Sequence, residues 1–265
     1  MIKPSRKPIA KIRVDKLNVF VYQNRQVMGD SAAVFTSELI KTMLSKAESI
    51  NMAFAAAPSQ NEFLDSLASF SGIQWDRIRA FHLDEYLGLS LEAPQRFSRY
   101  LYERIFSRVP FMEVHYVDPG DKKTPEEICA YYRKLLDVHP LDIACIGIGE
   151  NGHIAFNDPP VADFEDPCKV KVVRLDETCR RQQVYDGCFK SLDEVPTHAI
   201  TLTIPAIMEA GAIVCVVPGK QKAEAVRKAL EGPITTECPA SILRKHPNAT
   251  LFLDVDSASL ILKGG

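Results

Sequence analysis

The sequence lacks most of what marks a specialised chain. Its seven cysteines include no C-x-x-C pair, and the odd count argues against a disulfide framework or a zinc knuckle. Cys145 and Cys215 stand inside apolar runs and read as small core hydrophobes. That usage points to a reducing, cytoplasmic compartment. No apolar run approaches the roughly 18 residues of a membrane span. The segment Met1–Lys7 has no apolar stretch of the signal-peptide kind. Charge of one sign is also missing: Lys+Arg 32 against Asp+Glu 34 gives a net charge of -2. Neither nucleic acid nor a membrane is therefore an expected partner. Internal repeats and low-complexity segments are absent.

What is present is an ordinary globular composition, 46% hydrophobic and 25% charged over 265 residues. Such a chain can bury a sizeable core. Short β-rich runs alternate with helical patterns along its length. Strands are expected at Leu17–Tyr22, Ile50–Ala56, Ile78–Leu83, Val114–Val117, Leu141–Gly147, Val170–Leu175, Ala199–Ile204, Ala212–Val217 and Thr250–Val255. Helical spacing appears over Ala33–Lys46 and Lys220–Leu230, and Thr124-Pro125-Glu126-Glu127 has the form of a capping box. The expected fold is one three-layer α/β domain over residues 1–265, a mostly parallel sheet flanked by helices, with a short N-terminal arm at about 1–12. Ligands bind such sheets beyond the carboxyl ends of the strands.

Three strand ends carry chemistry. Phe81-His82-Leu83-Asp84-Glu85-Tyr86-Leu87-Gly88 places two carboxylates after an apolar strand. Neighbours in extended chain point to opposite faces, so one can line a pocket while the other braces it. The second end runs from Gly147 to Pro160 and contains G-x-G-x-x-G. It is not the dinucleotide fingerprint, because Pro159 and Pro160 follow where a helix should begin. Its glycines suit a tight loop near a ligand, and His153 with Asp158 makes an acid/base pair, Asn151 being a further polar group. The third end is Val217-Pro218-Gly219-Lys220-Gln221-Lys222, with lysines at a helix start. An anion bound there would meet a lysine and backbone N–H groups together. Each feature also has an unremarkable reading: a solvated turn, a structural histidine, a surface lysine.

At these residues the sequence resembles the glucosamine-6-phosphate deaminase (isomerase) family, whose wider group includes 6-phosphogluconolactonases. The matching segments are Phe81–Gly88, Gly147–Pro159, His198–Leu202 and Gly219–Ala223. The resemblance implies conversion of glucosamine 6-phosphate to fructose 6-phosphate and ammonia, with a small sugar phosphate as ligand. No metal or organic cofactor is implied. Asp84 would move a proton between carbons 1 and 2. His153 would open the sugar ring, helped by Asn151 and Asp158. Lys222 would hold the phosphate, and Ser59, Glu85, Gly152 and Arg181 complete the expected substrate-contacting set, with Arg180 an alternative to Arg181.

Two departures from the family pattern stand out. The first phosphate loop, Gly/Thr-rich in the family, reads Ala55-Ala56-Ala57-Pro58-Ser59-Gln60-Asn61, and Pro58 removes a donor. Asp158 stands where the family usually has Glu. Two other readings compete: a lactone hydrolase, which needs no carbon-acid base such as Asp84, and a non-catalytic sugar-phosphate sensor. A homo-oligomer is compatible with the sequence, which does not itself set the oligomeric state.

Overall fold

The computed structural model describes residues 7–120, 124–185 and 187–262. Eleven strands and seven α-helices alternate among the described residues. Eight strands form one sheet: β1 (Ala10–Val14), β2 (Leu17–Tyr22), β3 (Ile50–Phe54), β4 (Ile78–His82), β6 (Glu113–Val114), β7 (Ile143–Ile146), β10 (Ala212–Val217) and β11 (Ala249–Asp254). Their spatial order is β1-β2-β11-β10-β7-β3-β4-β6, and every pair is parallel except the β1–β2 hairpin. No helix among the described residues is long and apolar enough to cross a membrane.

The three layers follow from side-chain alternation. In β7, Ile143 and Cys145 join one core cluster, while Ala144 and Ile146 join the other. β10 divides the same way, Val214 and Val216 against Ile213, Cys215 and Val217. Both strands are buried along their whole length, as parallel strands covered on two faces must be. Helix α1 (Arg25–Leu44) and α2 (Asn61–Ala68) supply Met28, Ile40, Phe63 and Leu64 to the first cluster. Helix α4 (Pro125–Val138) and α7 (Ala223–Glu231) supply Ile128, Tyr132, Val226 and Leu230 to the second. The capping box at Thr124 forms as the sequence predicts: Thr124 Oγ1 accepts from the Glu127 N–H, and Glu127 accepts from Thr124 N–H.

Three differences from the sequence reading have physical causes. Val170–Leu175 and Ala199–Ile204 do not join the parallel sheet. They form β8 (Val170–Arg174) and β9 (His198–Leu202) of a separate antiparallel sheet, ordered β5-β9-β8 with a short β5 (Asp84–Tyr86). The polar Lys171 and Arg174 and the exposed Val172 of β8 mark a half-solvated strand rather than a doubly covered one. The second difference is at the expected arm. Residues 1–6 lie outside the described set, but Ala10–Val14 is β1, whose alternating half-buried and exposed positions fit an edge strand. The third is α1, which begins eight residues earlier in the chain than the apolar spacing indicates, at Arg25 instead of Ala33, because the Asn24 side chain caps it by accepting from Val27 N–H at 2.9 Å.

Chain direction reverses between β3 and β7. From β3 the chain moves outward through β4 to β6, then returns to β7 and moves the other way through β10 to β11. This switch point opens a crevice at the carboxyl ends of the strands. The loop leading into α2 forms one wall, so the seating of α2 matters. Gly29 of α1 lies against it: a Cβ there would stand 2.7 Å from Glu62 Cβ and 2.9 Å from the backbone of Glu62 and Phe63. Gly29→Ala should force the two helices apart and lower stability by about 1–3 kcal/mol, more than the ~1 kcal/mol that alanine recovers in helix propensity. Urea unfolding measures this, and an unchanged or raised midpoint would refute the close-contact account.

Candidate active site

The crevice is lined by four consecutive strand ends. After β3 come Ala55–Gln60, after β4 Leu83 and Asp84, after β7 Gly147–Gly149 with His153, and after β10 Lys222. Asp84, His153 and Lys222, which lie far apart in sequence, therefore face one cleft. Ser59 lines it as well.

Asp84 sits where the chain changes sheets. β4 ends at His82, and β5 begins at Asp84, opposite Thr201 of β9. The turn between them is held by His82, which is fully buried. Val117 N–H donates to His82 Nε2 at 2.8 Å, so the ring proton is assigned to Nδ1, which faces the Asp84 carbonyl oxygen at 2.9 Å. Burial holds the His82 pKa below its usual value and so favours the neutral ring this arrangement needs. Asp84 is 6% exposed. Burial, then the charges of Glu85 and Asp158, lifts its carboxyl well above the usual carboxylate value. That is the direction a proton-transferring carboxylate needs.

Glu85 does not reach the cleft, contrary to its place in the expected substrate-contacting set. It is 1% exposed and points to the opposite face of β5. Its carboxylate accepts from the backbone N–H groups of Tyr86, Phe97 and Ser98 at 2.9–3.0 Å, and Arg96 Nε lies at 3.5 Å. Phe97 and Ser98 open α3 (Phe97–Leu101), so Glu85 satisfies donors at that helix start.

The histidine loop is built around close backbone approach. His153 is 13% exposed, with Nδ1 at 2.8 Å from Asp158 Oδ1. Asn151 Nδ2 donates to the same oxygen at 2.8 Å, and Asn151 Oδ1 accepts from His153 N–H at 3.1 Å. Gly149 leaves room for the ring, since a Cβ there would fall 2.2–2.4 Å from three of its atoms. Asp158 is 1% exposed. Burial pushes it up, but the His153 ring and hydrogen bonds from His153, Asn151 and Cys179 outweigh this and hold it below the usual value. The loop is fixed from beneath by Asn157, whose Nδ2 donates to Ile154 O and Leu202 O, and by Thr201, which accepts from Phe156 N–H. These contacts hold Ala155 at φ 50, a conformation costly for a residue with a Cβ. Gly152 does not line the cleft. It has φ +87 and packs against Cys238, whose Sγ a Cβ would approach to 2.8 Å.

At the anion end, Lys222 is 5% exposed and stands at the N-cap position of α7. Gly219 takes φ +96 there and its N–H donates to Asp254. Neither expected arginine joins Lys222 in the lining. Arg180 donates to the carbonyls of Leu192 and Val195, at 2.6 and 2.9 Å, and Arg181 is exposed and paired with Glu177. Their helix, α5 (Glu177–Tyr185), instead presents Gln182 and Gln183 to the cleft.

Sequence reasoning missed Gln60, Gln182, Gln183 and Cys179. Gln60 spans the crevice, its Nε2 donating to Val216 O at 3.1 Å and lying 3.2 Å from Ser59 Oγ. Cys179, Gln182 and Gln183 are spaced i, i+3, i+4, one helix face, which is the signal that could have found them. Cys179 is 1% exposed, and His153, Asp158 and Cys179 bring metal-donor atoms within 4.8 Å of one another. Burial, then the neighbouring charge of Asp158, lifts the thiol well above its usual value.

The model of the family described as glucosamine-6-phosphate isomerases/6-phosphogluconolactonase matches residues 23–252. A glucosamine-6-phosphate deaminase of Bacillus cereus is 33% identical over 246 residues, 92% of this chain and 89% of the relative. A solved structure of a monomeric glucosamine-6-phosphate deaminase superposes with a TM-score of 0.82 at 31% identity, covering 91% of this chain and 99% of that one. The 6-phosphogluconolactonase of Thermotoga maritima shares the fold, with a TM-score of 0.73 at 21% identity over 90% of this chain and 100% of that one.

The raised Asp84 pKa has a sign that unfolding can read. Between the ordinary carboxylate value and the raised folded value, the native state keeps a proton that the unfolded chain has released. Stability therefore falls as pH rises through that window. Asp84→Asn removes the ionisation. The variant should match the wild type at low pH and exceed it in melting temperature above the window. A variant less stable than wild type at neutral pH would overturn the strained-carboxylate account.

Proposed function

We propose, from the premise that this chain belongs to the family of glucosamine-6-phosphate isomerases and 6-phosphogluconolactonases, that it is an enzyme converting glucosamine 6-phosphate and water to fructose 6-phosphate and ammonia. The observation that carries this reading is the cleft itself. A carboxylate of raised pKa, a histidine–aspartate pair and a buried lysine face one volume from adjacent strand ends. Those are the parts this chemistry needs: a base at carbon 2, an acid/base at the ring oxygen, and an anion partner.

In this mechanism His153 exchanges the protons of ring opening, with Asp158 and Asn151 holding its ring and charge. Asp84 takes the proton from carbon 2 of the open chain, giving an enolamine, and returns it to carbon 1. The resulting imine at carbon 2 is hydrolysed to the ketone and ammonia. Lys222 and Ser59 bind the phosphate, and Gln60, Gln182 and Gln183 add neutral donors around it. The odd cysteine count without a C-x-x-C pair supports a cytoplasmic setting. A lactone hydrolase needs an activated water but no base at a carbon acid, so the buried Asp84 counts against that alternative.

The test is release of ammonia and fructose 6-phosphate from glucosamine 6-phosphate, run beside hydrolysis of 6-phosphogluconolactone. Asp84→Asn should lower deaminase turnover by about a hundredfold or more; near-normal turnover would remove Asp84 from the mechanism. Lys222→Ala should weaken binding of the phosphorylated sugar by about 1.5–3 kcal/mol and leave a non-phosphorylated sugar almost unaffected. Equal losses for both ligands would show that Lys222 supports the fold or the sugar ring instead.

A further inference from the structure

We propose that Glu113, His115 and His139 form a binding site for one divalent transition-metal ion of the Zn2+ class, at the end of the large sheet opposite the cleft. Glu113 lies in β6, in register with Arg79 near the start of β4, and His115 follows two residues later. His139 is the C-cap of α4. The cleft opens beyond the other ends of these strands.

The donor atoms of the three side chains lie within 4.8 Å of one another. Four ligands at about 2.0–2.1 Å from a tetrahedral ion stand roughly 3.3 Å apart, so the three donors must draw together by at most about 1.5 Å to share one. His115 Nε2 is 3.0 Å from Glu113 Oε2, yet it is buried and has no partner in hydrogen-bond geometry. The two imidazoles are stacked, with ring centroids 5.8 Å apart and planes 15° apart, both against Phe81, so His139 must turn to bring its nitrogen towards a shared ion. The His115 backbone is anchored by its N–H to Ala80 O at 2.8 Å.

The chemistry of the set selects the ion. Two imidazoles and one carboxylate suit Zn2+, Co2+ or Ni2+ and not Mg2+ or Ca2+, which prefer all-oxygen shells. The carbonyl end of α4 adds negative potential at His139. Arg79 Nε stands 3.5 Å from Glu113 Oε1, the other carboxylate oxygen. It leaves Oε2 for the ion but weakens binding by repulsion. A bound ion would pin β6, only two residues long, to the end of α4.

The experiment is thermal unfolding of the whole chelator-treated chain against added ZnCl2, with CoCl2 binding followed by visible absorption. One equivalent should bind. At a free concentration about 100 times Kd the melting midpoint should rise by roughly 5–10 °C. His139→Ala should fold like wild type and lose the rise, and Glu113→Gln should reduce it. Cys179→Ser should keep it in full, which separates this site from the donor atoms in the cleft. No rise in wild type, a full rise in His139→Ala, or its loss in Cys179→Ser would each overturn the assignment.

Discussion

The hydrogen bonding of one buried histidine sets the geometry on which the cleft depends. His82 ends β4, the parallel strand second from the edge of the large sheet, and its ring holds the carbonyl of Asp84 on one side and the N–H of Val117 on the other. The Tyr132 hydroxyl donates to His82 O at 2.8 Å and accepts from His82 N–H at 2.9 Å. The chain is thereby fixed on both backbone groups at the point where it leaves one sheet for the other. Leu83 bridges the two sheets, its N–H donating to Phe54 O and its carbonyl accepting from Leu202 N–H. With these bonds in place Asp84 has little freedom to turn away from the cleft, even though its ionised form is costly there.

The same turn divides two adjacent carboxylates by environment. Asp84 points into the crevice with few compensating donors. Glu85 points away and gathers three backbone N–H groups and Arg96, itself 2% exposed. Arg96 continues to Asp118, at 3.3 Å. A buried charge needs such a set to be tolerated. Compensating Glu85 with a helix start and an arginine lets the chain keep a second, uncompensated carboxylate next to it.

Legibility in the sequence followed the kind of signal each feature leaves. Apolar alternation and continuous apolar runs reveal the strands of the parallel sheet, because burial on two faces fixes composition at β7 and β10. The capping box at Thr124 is a local code and was readable as such. β5 was not, since Asp84–Tyr86 is three residues long and has no period to detect. The separate antiparallel sheet depends on pairings between Asp84 and Thr201 and between Val170 and Leu202, which are remote in sequence. For the cleft, strand ends show where side chains emerge but not which way they turn. Glu85 and Arg181 were misplaced for that reason, each turned aside by partners that only tertiary structure supplies.

The relation between the two buried aspartates bears on the order of events in the proposed reaction. The charge of Asp158 is one of the influences that raise Asp84, while Asp158 is held down by the His153 ring beside it. In the proposed ring opening, between giving a proton to the ring oxygen and taking up the proton of the carbon-1 hydroxyl, the His153 ring leaves Asp158 as an uncompensated charge in a low-dielectric surround, where its field reaches Asp84 with little screening. The affinity of Asp84 for a proton then rises at the moment when the open chain first presents an acidic carbon 2. In the proposed mechanism, ring opening and carbon deprotonation are in this way linked through the carboxylate that stands behind the histidine, because Asp158 is buried against the His153 ring and its charge reaches Asp84.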